Sequence, residues 1–297
     1  MQQHTQTPLR AWWLAIRPKT LPAAVVPVVV GSAVAFEQGG FVPSAALAAL
    51  VAALLIQIGT NLANDYFDFQ KGSDTAERLG PTRVTQAGLL SAKAVYYGMV
   101  LVFAATLLPG LYLVVLGGWP ILLIGILSIT AGIAYTGGPF PIGYHGLGDV
   151  FVFLFFGVVA VVGTHYVQVQ AWSWAPWIAA VPVGALAVAI LVVNNDRDRD
   201  SDARSGKRTL AVRLGPRGTQ IEFLALLAVA FLVPLLQWLL GQTSMWVLLS
   251  YLALPMAVQV ARDFRAAEGA ALNGVLAQTA RLSLVFAAPY SVGLVVG

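Results

Sequence analysis

The chain has 297 residues, of which 58% are hydrophobic and only 10% charged, and its mean hydropathy is +0.78. Soluble domains carry about a quarter charged residues, so this balance excludes an ordinary globular protein and points to an all-α polytopic membrane protein. The net charge of +4 is no argument for a nucleic-acid partner in such a chain, where the side on which charges lie matters more than their sum; the absence of cysteine removes disulfides and thiolate metal sites.

A spanning helix needs roughly 20 mostly apolar residues. The N-terminal Leu9-Arg10-Ala11-Trp12-Trp13 is aromatic and basic, unlike a cleavable signal. The first apolar run, about 20–36, is interrupted by Pro22 and Pro27. Runs at about 44–66 and 94–116 follow, and Gly117-Gly118 turns the chain into 119–136. Then come 147–170, 174–194, 219–240, 245–262 and 276–296, giving nine expected spans. Very short links, such as Ala171 to Ser173 and Gly241 to Ser244, alternate with longer ones at 67–93, 137–146, 195–218 and 263–275.

With nine spans, all 17 basic residues fall on or beside one membrane side, and of 13 acidic residues only Glu37 lies on the other. The positive-inside rule makes that side cytoplasmic. The expected location is the cell's inner (plasma) membrane, with the N-terminus cytoplasmic and the C-terminus outside. Trp119, Trp172, Trp174 and Trp246 belong at the far interface, as headgroup-level anchors.

Two acidic clusters close two of the runs. The first is Asn64-Asp65-Tyr66-Phe67-Asp68, followed by Asp74; the second is Asn194-Asn195-Asp196-Arg197-Asp198, followed by Asp202. Asn64/Asp68 and Asn194/Asp198/Asp202 recur at intervals of four, so each set shares one helix face. Carboxylates beside lipid are costly and call for a partner. Mg²⁺ usually takes one or two carboxylates, several waters and substrate phosphate oxygens. Two stripes on one side of the membrane, four spans apart, therefore match a metal-bound diphosphate held at the mouth of a shared cavity. They also point to a single domain over 1–297 with a weak parallel repeat, about 20–136 and 147–262, and a ninth helix at 276–296.

Lys71, Arg83, Arg197, Lys207 and Arg208 stand beside the stripes as candidates for phosphate oxygens, arginine by bidentate contact and lysine as a point charge. Diphosphate held by Mg²⁺ is a leaving group. An allylic carbon that ionises from it needs shelter from water and a π-face, for which Tyr66, Phe67, Tyr135, Phe140 and Tyr144 are placed near the mouth. An isoprenoid tail would remain in membrane lipid.

The chain resembles the UbiA family of intramembrane aromatic prenyltransferases, and within it the branch acting on 1,4-dihydroxy-2-naphthoate in the menaquinone pathway. The match is carried, in order, by Arg17-Pro18-Lys19-Thr20-Leu21-Pro22, Asn64 to Asp68 with Lys71-Gly72-Ser73-Asp74, and Gly80-Pro81-Thr82-Arg83. Tyr135-Thr136-Gly137-Gly138, Gly146-Leu147-Gly148-Asp149, Asn194-Asn195 with Arg197-Asp198, and Thr209 to Gly215 continue it. The resemblance implies nine helices around a central cavity open to lipid, capped by the cytoplasmic 67–93 and 195–218 loops. It implies Mg²⁺-dependent transfer from a polyprenyl diphosphate to the naphthoate with loss of CO₂. Asp68, Asp198 and Asp202 would then be catalytic. Asn64, Asp68, Asp74, Asn194, Asp198 and Asp202 would serve the metal, and Arg83, Lys207, Lys71, Arg197, Tyr135 and Asn195 the substrates. The first cluster has Gly72 where many members carry a third acid, with Asp74 two residues later.

Two alternatives stand beside this reading: another acceptor such as 4-hydroxybenzoate or homogentisate, and an ion-coupled transporter using the carboxylates as its ion site. His165 reads as a buried helix–helix hydrogen bond or an acceptor contact, and Asp149 as a partner for a base or a substrate ligand.

Overall fold

The computed structural model describes residues 7–73 and 79–297. Every regular element among them is helical: α1 (Pro8–Ile16), α2 (Pro22–Glu37), α3 (Pro43–Gln70), α4 (Ala92–Gly117), α5 (Trp119–Ala134), α6 (Gly148–Val169), α7 (Ala175–Arg204), α8 (Leu210–Leu239), α9 (Met245–Ala266) and α10 (Leu272–Val296). Helices α3, α4 and α6 to α10 are long and apolar enough to cross a membrane. Counting the bent pair α1–α2 as one broken span makes eight, and α5, apolar but only 16 residues long, is shorter than these, so the nine expected spans are matched approximately among the described residues. The chain is thus a multi-pass membrane protein.

Local chemistry explains the ends. Proline opens α2, α3 and α5, where its missing N–H costs nothing. Ser91 and Thr209 cap α4 and α8 by accepting from Ala94 N–H and Val212 N–H. Gly118, at φ 69°, makes the tight α4–α5 turn. Gly72, at φ 67°, reverses the chain just past the first acidic cluster. Trp119, Trp172, Trp174 and Trp246 are all exposed at the ends remote from the clusters.

Two boundaries differ from expectation. The first span is not straight: Arg17 takes a left-handed conformation (φ 55°), and the chain bends by 48° between α1 and α2. Asn61 of α3 donates to the Ile16 carbonyl exposed by that break, at 2.9 Å. The expected 195–218 loop is mostly helix, because α7 runs on to Arg204 and α8 begins at Leu210. The charged extension pairs with itself, Arg199 with Asp196 and Arg197 with Asn194 across one turn, and so keeps its helical form.

Helix α7 is the hub. Its Ala179, Val183, Leu186 and Val193 are buried in a core shared with α2, α8, α9 and α10. Gly157 of α6 meets Gly184 of α7 so closely that a Cβ would lie 2.7 Å from the Gly184 Cα. Small residues admit such backbone approach in lipid, where packing rather than water exclusion joins helices. Helices α4 and α5 lie at the opposite extreme, flanking α3 with long exposed apolar faces.

Candidate active site

A cavity of about 410 Å³ opens between α2, α3, α4, α5, α6 and α7. Asn64, Tyr135 and Asn194 line its polar end; Ala49, Val114, Ile121 and Val167 line the other. From Asn64 back to Ala49 along α3 is about 22 Å at 1.5 Å per residue. The wall between is mainly aliphatic and aromatic, with Phe151, Phe155 and Phe156 on the α6 side, and is interrupted by polar side chains that include Thr20, Gln57, Thr60 and Asn61. Gly110 and Gly125 face it equally far on either side of the α4–α5 turn, and a Cβ on either would touch nothing within 4 Å.

The two acidic stripes meet at the polar end. Lys207 Nζ lies 3.2 Å from Asp68 and 3.9 Å from Asp202, so one ammonium stands between carboxylates of α3 and α7. Asn64 and Asn194, the first residue of each stripe, line the same chamber. Asp68 is 1% exposed and sits at the centre of a web. It takes a 2.7 Å ion pair from Arg83 and a 2.8 Å hydrogen bond from the Tyr144 hydroxyl. Lys71 and Lys207 both stand over the Tyr144 ring, at 5.0 and 4.6 Å from its centroid. Lys71 also donates to the carbonyls of Thr136 and Gly138, at 2.6 and 3.3 Å. Burial lowers the Lys71 pKa; Asp68 opposes that shift and Lys207 adds to it.

The second stripe is built differently. Arg197, 3% exposed, grips Asp198 with two hydrogen bonds of 2.9 and 2.6 Å, reaches Asn194 at 2.8 Å, and takes Asn273 of α10 at 3.0 Å. Its guanidinium is directed at the carboxylate beside it. Asn195 is buried one residue further round α7 and does not line the cavity. Asp74 lies outside the described residues. Among those described, no three carboxylates or imidazoles converge on one point.

Three side chains matter more than the sequence reading allowed. Asp65 is off the stripe, about 100° round the helix from Asn64. It is 1% exposed and accepts the backbone N–H groups of Val84 and Thr85, at 3.0 and 3.1 Å. It thus anchors the loop that carries Arg83 to Asp68. An acid next to, but not on, the periodic face was the signal. Tyr144 offers more than its ring, because its hydroxyl also donates to Asp68. Asn273 ties Arg197 to the carbonyl of Leu79, at 2.8 Å, and gave no signal in sequence. His165 Nε2 donates to Gln38 Oε1 at 2.9 Å, a helix–link contact remote from the acidic end. Asp149 is buried near the start of α6 and does not line the cavity.

A greasy chamber in a membrane bundle, topped by facing acidic helix ends and four cations, defines a class: a membrane enzyme that handles an amphiphile with an anionic head. Residues 24–285 match the model of the UbiA prenyltransferase family, and the chain belongs to that family. It is 38% identical to the 1,4-dihydroxy-2-naphthoate octaprenyltransferase of Haemophilus influenzae, over 97% of both chains. The fold is similar to that of a UbiA homologue from Aeropyrum pernix K1, with TM-score 0.68 and 18% identity over 95% of this chain and 97% of that one. A UbiA homologue from Archaeoglobus fulgidus bound to DMAPP and Mg²⁺ also shares the fold, with TM-score 0.64 and 15% identity over 96% of this chain and 99% of that one.

Proposed function

We propose that this protein transfers a polyprenyl group from a polyprenyl diphosphate to 1,4-dihydroxy-2-naphthoate, releasing CO₂ and diphosphate and forming a demethylmenaquinone at the quinol level. The observation that carries the reading is the meeting of Asp68 and Asp202 on Lys207, above an apolar chamber that Asn64 and Asn194 share. The name of the 38%-identical relative supplies the acceptor.

Electrostatics supports a divalent cation. Asp68, Asp198 and Asp202 already face Lys71, Arg83, Arg197 and Lys207, so the described site is close to neutral. Three carboxylates against four cations leave a single positive charge in excess, too little to balance a diphosphate, and a divalent cation makes up the difference. The carboxylate and amide oxygens of Asn64, Asp68, Asn194, Asp198 and Asp202 are hard donors of the kind Mg²⁺ takes alongside phosphate, with Asp74 in the same role by its place in the sequence. Mg²⁺, when bound, supplies Lewis-acid stabilisation to the departing diphosphate.

The chain's own groups do the rest. Arg83 and Lys207 turn from Asp68 to phosphate oxygens, and Lys71 adds a third cation at the same edge. Tyr135 presents its ring to the allylic carbon as positive charge develops there. The aliphatic wall excludes water from that cation. The ring carbon bearing the carboxylate bonds to the allylic carbon; CO₂ then leaves, and its bonding pair restores the aromatic ring. No base is needed for that carbon, because the carboxylate leaves in place of a proton. In this reading each half, 20–136 and 147–262, gives one stripe, 276–296 completes the domain, and the stripes face the cytoplasm in the plasma membrane.

Mass analysis of lipids formed from dihydroxynaphthoate and a polyprenyl diphosphate tests this. The expected product has lost CO₂ and appears only with Mg²⁺. Product in excess EDTA would remove the metal, and product only with 4-hydroxybenzoate or homogentisate would reassign the acceptor.

A further inference from the structure

Below the acidic stripes, the cavity wall carries a second polar group that the reading above does not use. Thr20, Gln57 and Asn61 all line the chamber. The Thr20 hydroxyl donates to the Arg17 carbonyl at 3.0 Å. It accepts from Gln57 Nε2 at 3.2 Å and from Asn61 Nδ2 at 3.1 Å. A hydroxyl has one hydrogen and two lone pairs. That hydrogen is spent on the backbone, so both amides must present N–H to Thr20, and the orientation of Gln57 is fixed by the network.

This leaves Gln57 Oε1 buried and without a hydrogen-bond partner, on a side chain only 8% exposed. Native proteins rarely strand a buried acceptor. If Gln57 served only to hold the α1–α2 break, its nitrogen would suffice, and the oxygen would be a standing cost. The chamber residues next to it in the chain, Ala53 and Ile56, donate nothing from their side chains, and the Thr60 hydroxyl one turn on makes no hydrogen bond to Oε1. Gln57, Asn61 and Asn64 lie at i, i+4 and i+7, on one face of α3. Gln57 is therefore two turns, about 10 Å, below the diphosphate end. The attacked prenyl carbon is bonded to the diphosphate and the reacting ring carbon lies about 3–3.5 Å from it, so a ring hydroxyl on the far side of a bicyclic acceptor extends down the chamber toward Gln57.

We propose that Gln57 Oε1 accepts a hydrogen bond from a ring hydroxyl of the aromatic acceptor, which makes Gln57 a specificity residue for hydroxylated arenes. The assignment rests on the prenyl-transfer reading and names the group that recognises its acceptor. The contact positions the ring under the allylic carbon and leaves the hydroxyl oxygen more electron-rich, which favours attack on a cation. A pocket built to pair a substrate hydroxyl discriminates strongly against an analogue that lacks it.

The test uses the full chain in lipid nanodiscs with a short prenyl diphosphate and Mg²⁺. The acceptors are 1,4-dihydroxy-2-naphthoate and its two monohydroxy analogues. The wild type is expected to favour the dihydroxy acceptor over one analogue by about 30-fold or more in kcat/KM, and Gln57→Leu to shrink that preference to about threefold. Gln57→Glu loses the donor to Thr20 but keeps an acceptor oxygen, and Thr20→Val removes the anchor but leaves Gln57; both should keep the preference. Unaltered discrimination in Gln57→Leu would overturn the proposal, as would Thr20→Val erasing it equally, which would make the network a mere brace. If Gln57→Leu is not recovered as a monodisperse protein, Gln57→Met carries the same measurement. Absence of turnover by the wild type with any acceptor would instead remove the underlying transferase reading.

Discussion

The two acidic helix ends share the pattern Asn-x-x-x-Asp, yet they are held in opposite ways. Asp198 is fixed from within its own helix: the adjacent Arg197 binds it twice and reaches back one turn to Asn194. Asp68 is fixed from outside, by Arg83 from the following loop, Tyr144 from the α5–α6 link and Lys207 from beyond α7. The second stripe is thus largely preformed once α7 folds. The first is complete only when three separate loops have closed over it. A site of this kind has a rigid wall and a wall assembled by its lids, and substrate entry must disturb the latter.

The largest effect should come from neutralising either carboxylate, because both walls must bear charge for the metal–diphosphate reading to hold. Asp68→Asn and Asp198→Asn keep shape and most hydrogen-bonding capacity. Each is expected to lower kcat by about 10³-fold, the scale for removing a preorganised electrostatic contact, while the detergent-solubilised protein still elutes as wild type. Full turnover in one of them would mean that only one stripe works and that the pair is structural on the other side.

Next in size is the anchor of the assembled wall. Asp65→Ala strands the Val84 and Thr85 N–H groups, each costing about 1–3 kcal/mol if it stays buried. The Arg83 loop should loosen. We expect kcat/KM for the prenyl diphosphate to fall by about 10- to 100-fold, an effect of roughly 1.4–2.7 kcal/mol, with faster proteolysis confined to the loop after α3. Asp65→Asn, retaining one acceptor oxygen, should recover part of this. An Asp65→Ala protein with a wild-type cleavage pattern and activity would show that Arg83 needs no such support.

What could be read beforehand follows from the same contrast. Periodicity in four exposes a stripe whose members lie on one helix, so Asn64, Asp68, Asn194, Asp198 and Asp202 were legible, and hydropathy gave the long apolar helices, seven of them full-length and an eighth bent, against nine expected. The apparent 195–218 loop was misjudged because charge density reads as solvated coil. In fact, pairing within the helix, Arg199 with Asp196, lets α7 carry its charges on beyond the apolar run. Contacts that join distant segments left no local trace: nothing near Tyr144 in sequence announces that its hydroxyl reaches Asp68, 76 residues away, and nothing near Asn273 announces Arg197. The orphaned oxygen of Gln57 likewise emerges only once Thr20 is seen to have no hydrogen left to give.

The smallest effect should fall on the preformed wall, and it is the sharpest test of the comparison. Asn273 is the contact to Arg197 that comes from outside α7. In Asn273→Ala the guanidinium keeps both bonds to Asp198 and the one to Asn194, so the carboxylate stays where it was. What is lost is a neutral acceptor, worth about 1 kcal/mol, and the tie to the Leu79 carbonyl. Activity should therefore fall only about two- to fivefold, against the 10- to 100-fold expected for Asp65→Ala. Steady-state kinetics on the two variants at matched membrane expression makes the comparison. Equal losses would mean that Arg197 is held by α10 rather than by its own helix, and the distinction between a preformed and an assembled wall would dissolve.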